Sequence, residues 1–459
     1  MNLKKVLSAA LSVALFGSVF TGCSDKSADS SAKVVTIWGN GAGTKVEETI
    51  AKNYNETIGK EKGIRIDYQV KDGDVNQQVE IALQSGDAPD IFRVGKLKEC
   101  VEKNYLAPLT AFKGGREIFD ESVKKGGLAK ENVNMINGAP YTITNSVLTF
   151  GIIYNKEMFK AAGLVDENGE PTPPETWDEF REYAKRLTNK SKRQFGVIFP
   201  LKWGAWYGYE INCNTDASSD SISFDVDKMQ YDYSDMNGIL NTIIGIKNDG
   251  SCYPGAEGID NDPARARFAE GNIGMKLSVS WDVGVFKEQF PTDFDWGVAP
   301  VPTYSKDKKY KQYMTMDNAG YINGKVLNTD RQDAVWEVWK YWYGPEKNKI
   351  LFEEGISLPL DFDSIKDVNT DIHGWKEFAE LVKISGGSFQ PLPTLTTGEK
   401  SLKELFIDEV WNGKMTVEEA TKIYTDISNR GIDRYYEQNP SADKEKDMEE
   451  TRNSINTLR

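Results

Sequence analysis

The apolar positions change period along the chain, and each change marks an element. Val34-Val-Thr-Ile-Trp38 is a short run rich in β-branched residues and predicts a buried strand. The glycine-rich stretch 39–43 separates it from a segment in which Val46, Ile50 and Tyr54 share one helical face. Thr44 and Glu47 stand at capping-box spacing where that helix begins. Ile64, Ile66, Tyr68 and Val70 alternate with polar residues, which predicts a second strand. A helix over 75–84, a strand over 89–94 and a helix over 96–104 follow. Strand and helix alternating at this spacing imply a parallel sheet with helices on its faces.

The same grammar returns later. Strands are predicted over 195–199 and 274–279, and Thr176 and Glu179 form a capping box behind Pro173-Pro174. A helix over 330–343 carries Val335, Val338, Trp339 and Trp342 at helical spacing and stops at Gly344-Pro345. The Trp336, Trp339, Trp342 stripe reads as core. Thr416 and Glu419 open a last helix, and the charged tail beyond Pro440 is expected to fray.

The N-terminus has a different pattern. Lys4-Lys5 precedes an almost uncharged apolar run over 6–20, then Thr21-Gly22-Cys23 and a polar stretch to Lys33. Residues 1–22 read as a signal peptide, too short to span a bilayer as a helix. Gly22-Cys23 resembles the lipobox of bacterial lipoproteins, although Phe20 stands where that pattern usually has Leu. Cys23 would then carry the lipid, and 23–33 would be a flexible tether. An ordinary secretory signal with an incidental cysteine is the alternative.

Composition narrows the function. A chain of 459 residues is too long for one ordinary core, so two domains are expected. The net charge of −14 argues against nucleic acid as partner. Aromatic residues make up 11% of the chain, which suits the stacking of flat ligand faces. Cys100, Cys213 and Cys252, beyond Cys23, make no disulfide framework; free thiols or a Cys213–Cys252 pair both fit. His373 is the single histidine, which speaks against His-based zinc sites and a Ser-His-Asp triad. No cofactor or metal is expected. The stretch Gly39 to Lys45 is placed like a phosphate loop, but Thr44 stands where both phosphate-loop templates require Gly. Its backbone N–H groups could still hold an anion, which leaves an acidic sugar open.

Six segments then fall into a familiar order. They are Gln84-Ser-Gly-Asp-Ala-Pro-Asp-Ile91, Leu106-Ala-Pro-Leu109, and Ile153-Tyr-Asn-Lys156 with Pro173-Pro174-Glu175-Thr176-Trp177 behind it. Phe268 to Met275 with Trp281, Gly297-Val-Ala-Pro-Val-Pro302, and Trp411 to Ala420 complete the series. Together they resemble the extracellular solute-binding proteins of bacterial sugar ABC importers, family 1, the maltose-binding-protein type. The resemblance implies an α/β, two-lobed periplasmic-binding-protein-like fold with a hinge and an interlobe ligand cleft. It places residues 34–146 plus 316–365 in the first lobe and 147–315 plus 366–440 in the second, with 441–459 as tail. It implies a monomeric, lipid-anchored receptor at the bacterial cell surface, not an enzyme. Such a receptor closes on a carbohydrate and delivers it to the permease subunits of an importer. An extracellular carbohydrate-active enzyme, or a binder of a non-sugar solute, are the alternatives. The 70 Asp and Glu residues single out no glycosidase pair.

A sugar presents apolar C–H faces and rims of hydroxyls, so its site needs aromatic planes and Asp, Asn, Arg or Lys side chains. Trp281 stands where the family commonly stacks a Trp. Trp203, Trp206 and Tyr207 fill an aromatic loop after the strand at 195–199, and loops after strands line the cleft. Trp38 ends the first strand and Asn40 follows it. Arg93 and Lys96 come just after the third strand, where the family often contacts its ligand. Asn145 lies near the hinge, and Asp282, Asp317 and Asn318 follow strand-like segments. Core packing is the alternative for each aromatic residue, and a solvated surface position for each polar one.

Overall fold

The computed structural model describes residues 32–39, 43–71, 75–219, 223–307, 311–368, 370–387 and 398–458. The expected signal peptide, Cys23 and Asn40 lie outside the described residues.

The chain opens with β1 (Lys33–Gly39), α1 (Thr44–Glu56), β2 (Ile64–Val70), α2 (Val75–Ser85), β3 (Ile91–Phe92), α3 (Leu97–Glu102) and β4 (Leu106–Ala107). The long β5 (Thr144–Asn155) leads to α4 (Trp177–Leu187), β6 (Phe195–Val197), α5 (Asn261–Ala269), β7 (Ile273–Val279), α6 (Asp282–Glu288) and β8 (Trp296–Ala299). Then come β9 (Gln312–Asn318), β10 (Tyr321–Asn323), α7 (Gln332–Trp342), α8 (Pro345–Glu353), β11 (Leu358–Pro359), β12 (Ser385–Gly387), α9 (Val417–Gln438) and α10 (Lys444–Leu458).

Two sheets result. The first has the order β2-β1-β3-β10-β4. Its β2, β1 and β3 are parallel, as the βαβ spacing requires, but β10 runs antiparallel to both β3 and β4. The second runs β12-β9-β5-β7-β6, with β8 and β11 also pairing with β5. β5 therefore holds this sheet together. Its first half pairs with β9 and β11, and its second half with β7 and β8. Helices cover both faces, so β5 is buried along almost its whole length, polar residues included. Phe150, Ile152 and Tyr154 enter one core cluster, and Val147 and Ile153 the other, following the two-residue period of a strand. Gly151 is fixed by close approach, because a Cβ there would come within 2.7 Å of the Ala299 carbonyl oxygen.

The first lobe has its own core, built on Val35, Ile37, Ile50, Tyr54, Trp339 and Trp342. The tryptophan stripe of α7 is buried in it, as its spacing predicts. Leu351 packs in this core, whereas Phe352, Leu358 and Ile365 pack with Val147 and Trp375. The chain thus passes between cores near residues 351–358, and 358–365 sit with the second core.

The capping boxes at Thr176–Glu179 and Thr416–Glu419 form. That at Thr44–Glu47 does not: Gly43, with φ 84°, is the N-cap of α1 and no side chain caps it. Glu47 instead accepts hydrogen bonds from Tyr68 and from the buried Lys347. Burial pulls the Lys347 ammonium below its ordinary pKa, against the stabilising charge of Glu47.

The tail is also different from its expectation. α10 does not fray but docks on the second lobe. Met448 packs beside Phe224, Met229 and Ile432, Tyr436 donates to Asp447 at 2.8 Å, and Arg452 pairs with Asp227 at 2.6 Å. Cys100 and Cys252 are free and buried, and burial pushes the Cys252 thiol up to about 12.

Candidate functional site

Strand direction decides which loops face the hinge. β5 leaves the hinge at Thr144 and runs into the second lobe. β7 is antiparallel to it, with Met275 opposite Tyr154 and Val279 opposite Phe150. The C-terminal end of β7 therefore points back towards the hinge. β6 is parallel to β7 and ends on the same side. The loops after β6 and β7 carry Trp203 and Trp281. In the first lobe, β1, β2 and β3 are parallel and end together, carrying Trp38, Lys71 and Arg93. This is the arrangement in which open α/β sheets bind ligands at strand C-termini.

On the second lobe Trp203 and Trp281 are half-buried, with ring centroids 6.4 Å apart and planes at 66°. They line a cavity of 660 Å³ together with Asp260, Asn261, Asp262, Arg265 and Gln289. Both indole rings border the cavity, and aromatic planes suit a sugar's C–H faces.

Beneath this floor lies a closed charge network. Asp282 is 1% exposed and accepts from Arg265 Nε at 2.8 Å, from Lys276 Nζ at 3.0 Å and from Ser278 Oγ at 2.5 Å. Burial alone would push its carboxyl up, but Lys276 and Arg265, with Ser278, hold it below the usual carboxylate range. Arg265 also donates to Asp262 at 2.6 Å.

On the first lobe, Trp38 is half-buried and donates through Nε1 to Gln69 Oε1 at 3.1 Å. Lys71 Nζ sits 4.1 Å from a Trp38 ring centroid and also donates to Gln69 Oε1 at 3.1 Å. Arg93 Nη1 meets both carboxylate oxygens of Asp317, at 2.7 and 2.9 Å. Asp317 sits at an irregularity in the β9–β5 register, between Asp317 and Asn318. Such a bulge re-aims a side chain, and here it marks where β9 leaves the second sheet for the first lobe.

Comparison with known proteins places the chain. The family model described as bacterial extracellular solute-binding protein matches residues 42–349. The chain belongs to that family. The maltotriose-binding protein of Pyrococcus abyssi is 24% identical over 309 residues, 64% of this chain and 59% of that protein. The chain thus matches less than two thirds of that relative's length. The sn-glycerol-3-phosphate-binding periplasmic protein of Escherichia coli is 23% identical over 380 residues, 77% of this chain and 82% of that protein. Among solved structures, the ABC substrate-binding protein Lmo0181 of Listeria monocytogenes, in complex with cycloalternan, superposes with a TM-score of 0.64. It is 18% identical, and the match covers 88% of this chain and 99% of that one. The two-lobed architecture is therefore that of the solute-binding family.

Within this solute-binding fold the expected site residues separate. Trp203 and Trp281 come together at one cavity, and Trp38 and Arg93 stand at the facing strand ends. Trp206 and Tyr207 do not reach the cleft. Trp206 is wholly buried against Phe199, and Tyr207 is buried with its hydroxyl bonded to the Leu201 carbonyl oxygen. The reason is helical: the chain turns into a helix at Gly204, which swings the next aromatics into the core. Asp282 is a structural anion, as described above. Lys96 is exposed beyond β3 and lies 3.5 Å from Glu80 of α2. Asn145 exchanges hydrogen bonds with Asn348 at 3.2 and 3.3 Å and borders a separate hinge cavity with Lys125 and Asp361. Asn318 ties the hinge to the first lobe, donating to the Val133 carbonyl oxygen at 3.2 Å. Asn261, Asp262 and Gln289 were not expected at the site. Asp260-Asn-Asp-Pro263 is a legible helix start, and that signal could have found Asn261 and Asp262; Gln289, at the end of α6, carries no such signal.

Among the described residues no group of His, Cys, Asp and Glu is placed to hold a metal ion. No described helix is long and apolar enough to cross a membrane.

Proposed function

We propose that the chain is the receptor of an ABC importer, taking a carbohydrate between its lobes and handing it to the permease subunits. The observation that carries this reading is the Trp203–Trp281 pair, set over a cavity at the hinge-facing strand ends of the second lobe. Trp38 stands at the matching strand ends of the first lobe. Aromatic planes supplied by both lobes hold a sugar by its faces, and those contacts coexist only when the lobes close. Ligand then shifts the population towards the closed form.

The names of several relatives agree with this reading, the maltotriose-binding protein and the cycloalternan complex among them. In the same reading the protein catalyses nothing. Cys23 carries a lipid that holds the receptor, as a monomer, on the outer face of the cytoplasmic membrane.

A thermal-shift screen of neutral oligosaccharides and of sn-glycerol 3-phosphate tests the proposal, with product analysis of every hit. A ligand that binds only the folded chain at a hundredfold excess over Kd adds about 2.7 kcal/mol of stability. A stabilising sugar recovered intact supports the receptor. A sugar recovered cleaved replaces it with an enzyme, and a response to the phosphate alone replaces it with a receptor for an anionic solute.

A further inference from the structure

One side chain in the second-lobe cavity is committed to nothing in the protein. Asn261 is 6% exposed, and its Oδ1 is buried without a hydrogen-bond partner among the described residues. Its backbone N–H is engaged: it donates to Asp260 Oδ1 at 2.9 Å, and Asp260 is the N-cap of α5. Asn261 lines the same cavity as Trp203 and Trp281. A buried amide oxygen without a donor is unfavourable, and buried side-chain polar groups in folded proteins are mostly paired. Such an atom beside an aromatic cavity marks a place where a donor arrives from outside the chain.

We propose that the carboxamide of Asn261 hydrogen-bonds a hydroxyl of the bound ligand, and that this ligand is uncharged at that position. A hydroxyl both donates and accepts, so it satisfies the carboxamide in either orientation. The charges around it explain the second half. Arg265 is the one cation among the described residues lining the cavity. Its Nη1 is held by Asp262, and its Nε and Nη2 by Asp282. The remaining charged lining residues, Asp260 and Asp262, are carboxylates. A phosphate or uronate would meet like charge and no available guanidinium, whereas a neutral sugar brings the hydroxyl that Asn261 lacks. The inference rests on the cleft reading above and adds to it which group reads the sugar.

The test is calorimetry and thermal melting on the full-length chain and its Asn261→Ala and Asn261→Leu variants. The probes are maltotriose, xylotriose, cellotriose and sn-glycerol 3-phosphate. The expected result is a trisaccharide bound by the unaltered chain and bound about tenfold more weakly by both variants. The ligand-free melting temperature of the variants stays level or rises, because an unsatisfied buried acceptor has been removed. Asn261→Leu keeps the branched side-chain shape and covers the case in which Asn261→Ala folds poorly. A trisaccharide bound equally by all three proteins overturns the role of Asn261 and leaves the receptor reading intact, and so does a lower melting temperature at unchanged affinity. Binding of sn-glycerol 3-phosphate alone, or of no probe, overturns both.

Discussion

The two faces of the cleft handle charge in opposite ways. On the second lobe the cations and the carboxylate meet below the surface: Asp282 is sealed between Arg265, Lys276 and Ser278, and indole rings and neutral amides lie above them. On the first lobe the charges stay at the rim. Arg93 and Asp317 pair with side chains 49% and 38% exposed, and Lys71 lies over the Trp38 ring. The second lobe thus presents a surface on which the one lining cation among the described residues, Arg265, is already held by carboxylates, with Asp260 and Asp262 beside the indole rings. The first lobe keeps groups that water and salt can reach. The contrast predicts that charge changes on the second lobe alter folding, and charge changes on the first alter binding.

The largest effect is expected at Asp282. Removing one partner of a buried ion network leaves uncompensated charge, which costs about 3–5 kcal/mol. Asp282→Asn should lower the unfolding free energy of the second lobe by that amount in equilibrium denaturation. The pH dependence has a definite sign. The folded chain holds the Asp282 carboxyl below its ordinary value of 3.8. The unfolded chain therefore takes up this proton first as pH falls. The stabilisation is complete above the unfolded pKa and is lost as pH drops through the lower folded value. Asp282→Asn should flatten the stability profile below about pH 4, relative to the unaltered chain. An equally steep profile in the variant would mean the network contributes nothing specific.

Next in size is Trp281→Ala, which removes a half-buried ring from the cavity wall. Ligand affinity should fall by about 1–3 kcal/mol, the scale of one buried aromatic side chain. Calorimetry with whichever sugar stabilises the chain reads this directly. Asp282 and Trp281 are adjacent in sequence, so the pair separates the two roles cleanly: one substitution should move the melting temperature, the other the affinity. If Trp281→Ala binds normally, the ligand does not use the second-lobe cavity.

The same pair shows what could be read from the chain alone. The period of apolar residues placed β1, β2, β7, α1 and α7, because a strand or helix face needs only local spacing. Trp203 was expected from its loop after a strand and Trp281 from the family resemblance, and the fold brings both rings to one cavity; Trp206 and Tyr207, expected from that same loop, turn into the core. Asp282 was misread, since the groups that claim it lie 17 and 6 residues before it and meet it only in the folded lobe. Glu47 failed as a cap for a stronger version of the same reason: its partner Lys347 is 300 residues away. The tail misled through composition. Its charges suggest fraying, yet Met448 and Tyr436 give α10 and α9 an apolar contact that a charge count does not register.

On the first lobe the expected effects are smaller and depend on salt. The Arg93–Asp317 pair is half-exposed, and such pairs contribute about 0–1 kcal/mol. Asp317→Asn should leave stability nearly unchanged at physiological salt. It should also free the Arg93 guanidinium at the cleft rim. The informative measurement is binding of sn-glycerol 3-phosphate at low and high ionic strength. A gain in affinity at low salt that vanishes at high salt is expected from a newly available surface cation. Unchanged behaviour at both would show that Arg93 does not face the cleft.

The smallest effect is expected at Lys71. Its ammonium lies 4.1 Å from a Trp38 ring centroid and shares Gln69 Oε1 with the indole N–H, so one glutamine and one cation together orient the ring. An exposed cation–π contact is worth about 0.5–1 kcal/mol. Lys71→Gln keeps the stem and a hydrogen-bond donor while removing the charge, so overall stability should shift by no more than that. Binding distinguishes two roles for the residue. If Lys71 only steadies Trp38, the affinity for a neutral sugar falls slightly and shows no salt dependence in either protein. If Lys71 instead meets the ligand as a charge, the sugar affinity holds while any weak binding of sn-glycerol 3-phosphate disappears. That second outcome would give the first lobe an anion preference which the second-lobe cavity, with its guanidinium already held by two carboxylates, does not share.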